Sequence, residues 1–284
     1  MLFIQLVVDS LVLGSIYALM AIGFTMIFGI LHIINLAHGE LFVLGAFTAF
    51  FLVGAGVNFI LALLIAMLVV AILGLIMERG VYRFIKKEAV LNTMLASIGL
   101  SLFLQNVYIL IFGPQTQQIY GSTETINLLG IIITWQRLIL VIIAVTVVIL
   151  LNLLVKRTWF GKALRATALD PQVAQLMGID TGRIRAVTFA LGSALAAAAG
   201  ALLVSIIPVS ATSGFIPATK AFIITIFGGI GSITGAIVGA LLLALAENLA
   251  AGYIASSYTN MIAYAFLVLV LLIRPDGIFG RRSF

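Results

Sequence analysis

The 284-residue chain is 63% hydrophobic and only 8% charged, with a mean hydropathy of +1.30. Soluble domains are about a quarter charged, so this composition excludes a protein with a fully solvated surface and specifies one embedded in lipid. The net charge of +6 does not point to nucleic acid, because the basic residues sit in short loops between apolar runs, and the zero cysteine count excludes disulfides, thiolate chemistry and cysteine-ligated metals.

The apolar runs are long enough to cross a bilayer as helices, which takes roughly 20 residues each. The alternating short segments of a membrane barrel are missing. The first run covers 3–30. It has no basic n-region, the first basic residue being Arg79, and reads as a retained span rather than a cleaved signal. The stretch ILHIINLAHGELFVLGAF, 30–47, then interrupts the apolar pattern with His32, Asn35, His38 and Glu40. A second span is expected from about Glu40 to Gly56, a tight turn at Gly56–Asn58, and a third span over 59–77. A basic loop with Arg79, Arg83, Lys86 and Lys87 follows, then a fourth span over 93–112. The loop 113–135 has no Lys or Arg, and a fifth span covers 137–155. A long basic segment, 156–185, precedes spans near 186–206, 217–230, 233–252 and 259–273 and a basic tail, RPDGIFGRRSF.

The expectation is an all-α polytopic membrane bundle of about nine spans, one transmembrane domain over 1–284 with the 156–185 segment inside it. The cation-rich loops belong in the cytoplasm, which puts the N-terminus outside and the C-terminus inside. The weakest span is 217–230, which is short and carries Lys220. The chain also echoes itself: in ALMAIGFTMIFG, 18–29, and ATKAFIITIFGG, 218–229, Ala18, Ala21 and Thr25 recur as Ala218, Ala221 and Thr225. A parallel repeat with broken helices is expected, with the substrate path at the repeat interface.

The polar interruption at 31–40 admits two readings. One is a turn at the cytoplasmic surface, with His38 and Glu40 wet and capping the next span. The other is a helix broken at membrane depth, where irregular backbone must line a cavity or be buried in protein. If 32–38 is helical, His32 and Asn35 share a face, as do Asn35 and His38. Glu40 suits the N-terminal dipole of the following helix. On the pathway reading, Thr25, Asn35, His38, Glu40 and Ser232 line the route.

In FGGIGSITGAIVGALL, Gly231, Gly235 and Gly239 recur every fourth residue, leaving one helix face bare for close packing. Gly192, Ala196 and Gly200 repeat that spacing, and Gly228, Gly229 and Gly231 supply a bend. The stretch 157–189 is amphipathic and too polar to span. Asp170-Pro171 can start a helix there and Gly178 can stop one. Ala166, Ala168, Ala174, Leu176 and Met177 would offer a small apolar surface to another protein. The competing reading lays the helix flat on lipid headgroups, anchored by Trp159 and Phe160.

No phosphate-binding loop is present, since Gly161-Lys162 is followed by Ala163, and neither H-E-x-x-H nor a serine nucleophile elbow occurs. The chain is therefore not expected to be an enzyme or to bind a metal or cofactor. Asp9, Glu40 and Glu247 are few carboxylates for an ion-coupled carrier, so transport energised elsewhere fits better.

The stretch SIYALMAIGFTMIFGILHIINLAHGELFVLGA resembles the N-terminal signature of permease subunits from bacterial ABC importers of branched-chain amino acids. GKALRATALDPQVAQLMGID resembles that family's cytoplasmic coupling segment, and FGGIGSITGAIVGA and RPDGIFG resemble its C-terminal half. The resemblance covers essentially the whole chain in order. It implies a second homologous permease subunit, two cytoplasmic ATPases that hold ATP and Mg and dock on the coupling helices, and a periplasmic or lipid-anchored binding protein. It also implies the inner membrane of a bacterium. Gly161, Arg165, Ala168, Asp170, Ala174, Gly178 and Ile179 fall on the coupling motif, and Asn35, His38, Gly39 and Glu40 on the first signature. Permeases for urea or short amides share these motifs and are the nearest alternative; an ion-coupled amino acid carrier is the more distant one.

Overall fold

Helices carry almost the whole chain in a computed structural model that describes residues 2–31, 33–85, 90–121, 124–128, 131–273 and 277–279. His32, Lys86, Lys87 and the arginines of the basic tail lie outside the described residues. In chain order the elements are α1 (Leu2–Leu31), α2 (His38–Gly54), α3 (Phe59–Gly80), α4 (Val90–Phe112), β1 (Thr125–Leu128), β2 (Ile131–Thr134), α5 (Trp135–Arg157), α6 (Trp159–Leu169), α7 (Pro171–Leu176), α8 (Thr181–Leu203), α9 (Phe215–Gly228), α10 (Ile233–Tyr253) and α11 (Thr259–Ile273). The six helices α1, α3, α4, α5, α8 and α10 are long and apolar enough to cross a bilayer, and α2, α9 and α11 are apolar but shorter. The loop after α4 holds the antiparallel pair β1–β2, with Thr125 opposite Thr134, which the sequence reading did not anticipate.

Side-chain oxygens mark the helix starts. Asn58 caps α3, Thr134 α5, Thr158 α6, Asp170 α7, Asp180 α8 and Ser232 α10, each accepting a backbone N–H that has no partner inside its helix. The centre of the bundle is α1, packed against α10, α8, α9 and α5. The run of alanines from Ala196 to Ala199 in α8 is fully buried, and small side chains let neighbouring backbones close in. A Cβ on Gly200 would overlap the Phe42 carbonyl oxygen of α2. By contrast α3, α4 and α5 expose Leu64, Leu68, Ile72, Leu102, Leu110, Ile142 and Leu150 along their lengths, an apolar wall suited to lipid.

The ends of the bundle differ in charge. At one end the backbones of Gln117 and Val209 pair, Gln118 and Gln136 donate to the carbonyls of Ile206 and Ser205, and Arg137 pairs with Asp9. The start of α1, the strand pair and the 204–214 segment therefore share that end. The other end carries α6, α7, Arg79, Arg83, Lys156, Arg183 and Arg185.

Between these ends two breaks reach inward. The ring Nε2 of His38 lies 3.3 Å from the carbonyl oxygen of Met20, and Met20 precedes the end of α1 by about three turns. The chain thus climbs back through 33–37 and starts α2 deep in the bundle. From the opposite end, 204–214 descends to start α9, whose 14 residues span only about 21 Å against a hydrocarbon core of about 30 Å. The breaks meet back to back, because a Cβ on Gly39 would overlap the Gly214 carbonyl oxygen.

Of the two readings of 31–40, the broken helix holds and the surface turn does not, and the helical face proposed for the break needs correction. Residues 33–37 are not helical, so Asn35 and His38 do not share a helix face; instead the His38 N–H donates to the Asn35 carbonyl at 3.2 Å. Nor is the segment wet: Asn35, His38 and Glu40 are 1%, 0% and 2% exposed. The physical reason is that partners on α4 and beyond α3 satisfy one side-chain oxygen each of Asn35 and Glu40 inside the protein, where water would otherwise have to do so.

Candidate substrate pathway and coupling site

The buried break is held by three side chains that the sequence did not single out. The Tyr82 hydroxyl donates to Asn35 Oδ1 at 2.6 Å, and the Ser101 hydroxyl donates to Glu40 Oε1 at 3.0 Å. The Ser97 hydroxyl accepts the Leu36 N–H and lies 3.1 Å from the Ile34 carbonyl oxygen. Tyr108 is buried on the same face of α4, about two turns beyond Ser101. Ser97, Ser101, Leu104 and Tyr108 fall at helical spacing on one face, a signal that could have found them. Asn35 Nδ2, His38 Nδ1, Glu40 Oε2 and the Tyr108 hydroxyl are buried without a hydrogen-bond partner among the described residues. Leaving such a group unpaired costs about 1–3 kcal/mol, and folded proteins keep few.

A second polar line runs down the seam between α1 and α9. The Thr25 and Thr225 hydroxyls are 2.9 Å apart, and the Phe24 and Phe222 rings pack edge to face at 6.0 Å. Further along, Lys220 Nζ lies 2.9 Å from Glu247 Oε2 and 2.8 Å from the Tyr17 hydroxyl, which itself donates to Glu247 at 3.0 Å. Tyr17, Phe24 and Thr25 thus meet Lys220, Phe222 and Thr225 in the same order, so the two echoed helices lie side by side and run the same way. At the cation-rich end a Cβ on Gly29 would touch the Gly231 Cα at 3.3 Å.

The expected glycine face of α10 needs one correction. Gly231 precedes the helix in the left-handed region, with φ +80°, and has open space where a Cβ would be, so it turns the chain rather than packing a helix. Gly235 and Gly239 do pack: a Cβ on Gly235 would overlap the Gly228 carbonyl oxygen, and one on Gly239 would press on Phe227 at 3.0 Å. Ser232 is used for capping, its hydroxyl accepting the Gly235 N–H at 3.0 Å.

The coupling-motif residues build a rigid elbow. Gly161 packs so closely under the end of α5 that a Cβ would overlap the Val155 carbonyl oxygen, and Arg165 donates to that same oxygen. Asp170 Oδ1 accepts the N–H groups of Gln172 and Val173, with Pro171 as first residue of α7. Gly178, at φ +81°, donates to the Gln175 carbonyl while Ile179 donates to that of Ala174, the paired bonds of a glycine-terminated helix end. The apolar surface differs from the expected one. Ala174 is buried and Ala166 and Ala168 are half-buried, because α6 and α7 fold their small face onto the bundle. Of the expected surface Leu176 and Met177 do stand out, at 86% and 77% exposed, and Leu169 joins them at 81%.

Between α1, α5, α6 and the start of α10 lies a cleft of about 260 Å³. Thr25, Asn152, Lys156 and Arg165 give it polar walls, and Met26, Ile30, Leu164 and Ile233 give it apolar ones. Ala168 and Gly231 border it as well. One cavity therefore joins Thr25, from the expected pathway, to Arg165 and Ala168, from the coupling motif; Asn35, His38 and Glu40 are packed apart from it.

A sequence profile of the family described as branched-chain amino acid transport system / permease component matches residues 6–271. The chain belongs to that family. The permease is 37% identical to the high-affinity branched-chain amino acid transport system permease protein LivH of Salmonella typhimurium, with 98% of this chain and 96% of that protein covered. It is 35% identical to the corresponding protein BraD of Pseudomonas aeruginosa at the same coverages, 98% and 96%. A more distant likeness, at 26%, is to the ribose import permease protein RbsC of Escherichia coli, over 91% of this chain and 82% of that one. Among solved structures the permease matches a chain of PsaBC from Streptococcus pneumoniae in complex with Fab, with a TM-score of 0.50, 12% identity and 95% and 92% of the two chains covered, a likeness of fold. Family and helices together make the permease a multi-pass membrane protein and a transport component rather than an enzyme.

Proposed function

We propose that the permease is a membrane subunit of an ATP-driven importer of branched-chain amino acids. It forms the translocation path with a second, homologous permease subunit. Two cytoplasmic ATPases bearing ATP and Mg grip the α6–α7 elbow, and a periplasmic or lipid-anchored binding protein delivers substrate at the opposite end. The cation-rich end faces the cytoplasm of a bacterial inner membrane, as the distribution of basic residues favours. Counting the crossings completed by 33–54 and 204–228 gives nine, with the N-terminus outside and the C-terminus inside.

The observation that carries this reading is the cleft beneath α6, because it joins the coupling elbow to the seam between the echoed helices. Leu169, Leu176 and Met177 present the grip. The clamp of Gly161 and Arg165 on the Val155 carbonyl transmits a push on α6 into α5. Such a push shifts helices between discrete packings rather than deforming them continuously. In the cleft Met26, Ile30, Leu164 and Ile233 receive a branched side chain, while Lys156 and Arg165 meet the carboxylate that would otherwise lose its hydration unpaired. Thr25 stands at the inner end of this route. Asn35, His38 and Glu40 are shut in the present conformation and join the path when the start of α2 shifts.

The test is uptake of labelled leucine into vesicles carrying the assembled transporter. ATP should be required. Uptake driven by a proton gradient alone would replace the reading with an ion-coupled carrier, and transport of urea in place of leucine would overturn the substrate.

A further inference from the structure

At the cation-rich end, apart from the α6 cleft, the end of α3 and the start of α8 enclose a second cavity of about 230 Å³. Arg79, Arg83, Arg183 and Arg185 line it, with Glu78 and Asp180 as its carboxylates. Asp180 pairs with Arg183 at 3.0 Å. Three guanidinium groups are then left facing one carboxylate, that of Glu78, which is 3% exposed and within electrostatic reach of Arg185, Arg83 and Arg79. The Nε of Arg185 is buried with no hydrogen-bond partner among the described residues. A buried charged donor left unpaired is costly, and the partner it lacks is an acceptor. Guanidinium forks match the geometry of phosphate oxygens.

The position narrows the source of that phosphate. Leu68, Ile72 and Ile76 form an exposed apolar stripe on α3, and the cavity opens where that stripe ends, as lipid tails give way to headgroups. We propose that the cavity binds a phosphate-bearing anion, supplied by the headgroup of an acidic phospholipid in the adjoining leaflet. Glu78 opposes the anion directly and serves to hold the arginines in place around it. Tyr82, whose hydroxyl holds Asn35, lies between Arg79 and Arg83 in the chain. An occupied site therefore fixes the segment that closes the buried break. This reading is independent of which substrate the permease carries.

The experiment uses the intact transporter in phosphatidylcholine vesicles with and without phosphatidylglycerol, read by native mass spectrometry after gentle extraction. The wild type should retain phosphatidylglycerol, and the variant Arg79→Gln/Arg83→Gln/Arg185→Gln should retain about tenfold less, with phosphatidylcholine unchanged. Inorganic phosphate is titrated in a second arm. Failure to displace the lipid assigns the site to headgroups, whereas phosphate binding with no lipid retention assigns it to the free anion and overturns the lipid source. The variant Arg79→Lys/Arg83→Lys/Arg185→Lys keeps the charge but not the fork, and should weaken retention severalfold even if the glutamine variant does not fold. Unchanged retention in either folded variant would overturn the site. Loss of the ATPase subunits with lipid retention intact would do so too, by assigning the cavity to protein docking.

Discussion

The Thr25 and Thr225 hydroxyls, 2.9 Å apart, join two positions that are equivalent in the echoed helices. Both side chains are buried, and Thr225 also donates to the Ala221 carbonyl within its own helix at 2.8 Å. Replacing Thr225 with Val strands the Thr25 hydroxyl at the seam. Each single substitution, Thr25→Val or Thr225→Val, should cost about 1 kcal/mol of stability, and the double variant less than the two together. Thermal unfolding of the purified permease in detergent reads this. Strict additivity would mean that the hydroxyls do not support one another.

The Lys220–Glu247 pair should be the most sensitive point of the interior. The two side chains are 12% and 1% exposed, and they tie α9 to α10 with Tyr17 of α1 closing the triad. Glu247→Gln leaves an uncompensated ammonium group in the bundle, an expected loss of about 3–5 kcal/mol. The apolar pair Lys220→Met/Glu247→Met should be far better tolerated. Equal damage from both variants would indicate that the charge pair has a role other than mutual neutralisation.

Much of this architecture was legible in advance. Asp170-Pro171 and Gly178 specified α7 because helix caps are local, needing only neighbouring backbone for their bonds. The apolar runs marked out nine helices among the described residues for the same reason. The depth of the breaks was not legible. A polar stretch between two spans reads alike at the membrane surface and within it, and only the partners separate the cases. Those partners are distant in sequence: Tyr82 for Asn35, Ser101 for Glu40, Gly214 for Gly39. The small-residue face of α6 and α7 misled in the same way, since alanines suit an exposed knob and a close contact equally. The echo between the two helices likewise takes physical form only in the contact of Thr25 with Thr225, 200 positions apart.

The buried break supplies a test of conformational change. The chain has no native cysteine, so a single introduced thiol is unique in this subunit. His38→Cys should be shielded from water-soluble reagents in the conformation described here and should react when nucleotide drives the transporter to its other state. Constant reactivity would place the start of α2 permanently in water. Tyr82→Phe, which removes the donor to Asn35 Oδ1, should destabilise the permease by about 1–2 kcal/mol and raise the reactivity at position 38.

The elbow should be separable from the bundle. Gly178→Ala forces an alanine into φ +81°, at a cost of about 1 kcal/mol confined to the turn after α7. It should weaken the link between ATP hydrolysis and uptake while leaving membrane insertion unchanged. Leu169→Ser with Leu176→Ser removes the apolar grip and should reduce co-purification of the ATPase subunits. Full coupling in both variants would move the contact elsewhere on the surface.

The most direct measurement is cross-linking from Leu176→Cys in inside-out and right-side-out vesicles bearing the complete transporter. The proposed function predicts that this thiol links to an ATPase subunit, with a yield that changes on nucleotide binding, and that membrane-impermeant reagents reach it only in inside-out vesicles. Labelling from the outer side, with no link to a nucleotide-hydrolysing partner, would contradict it.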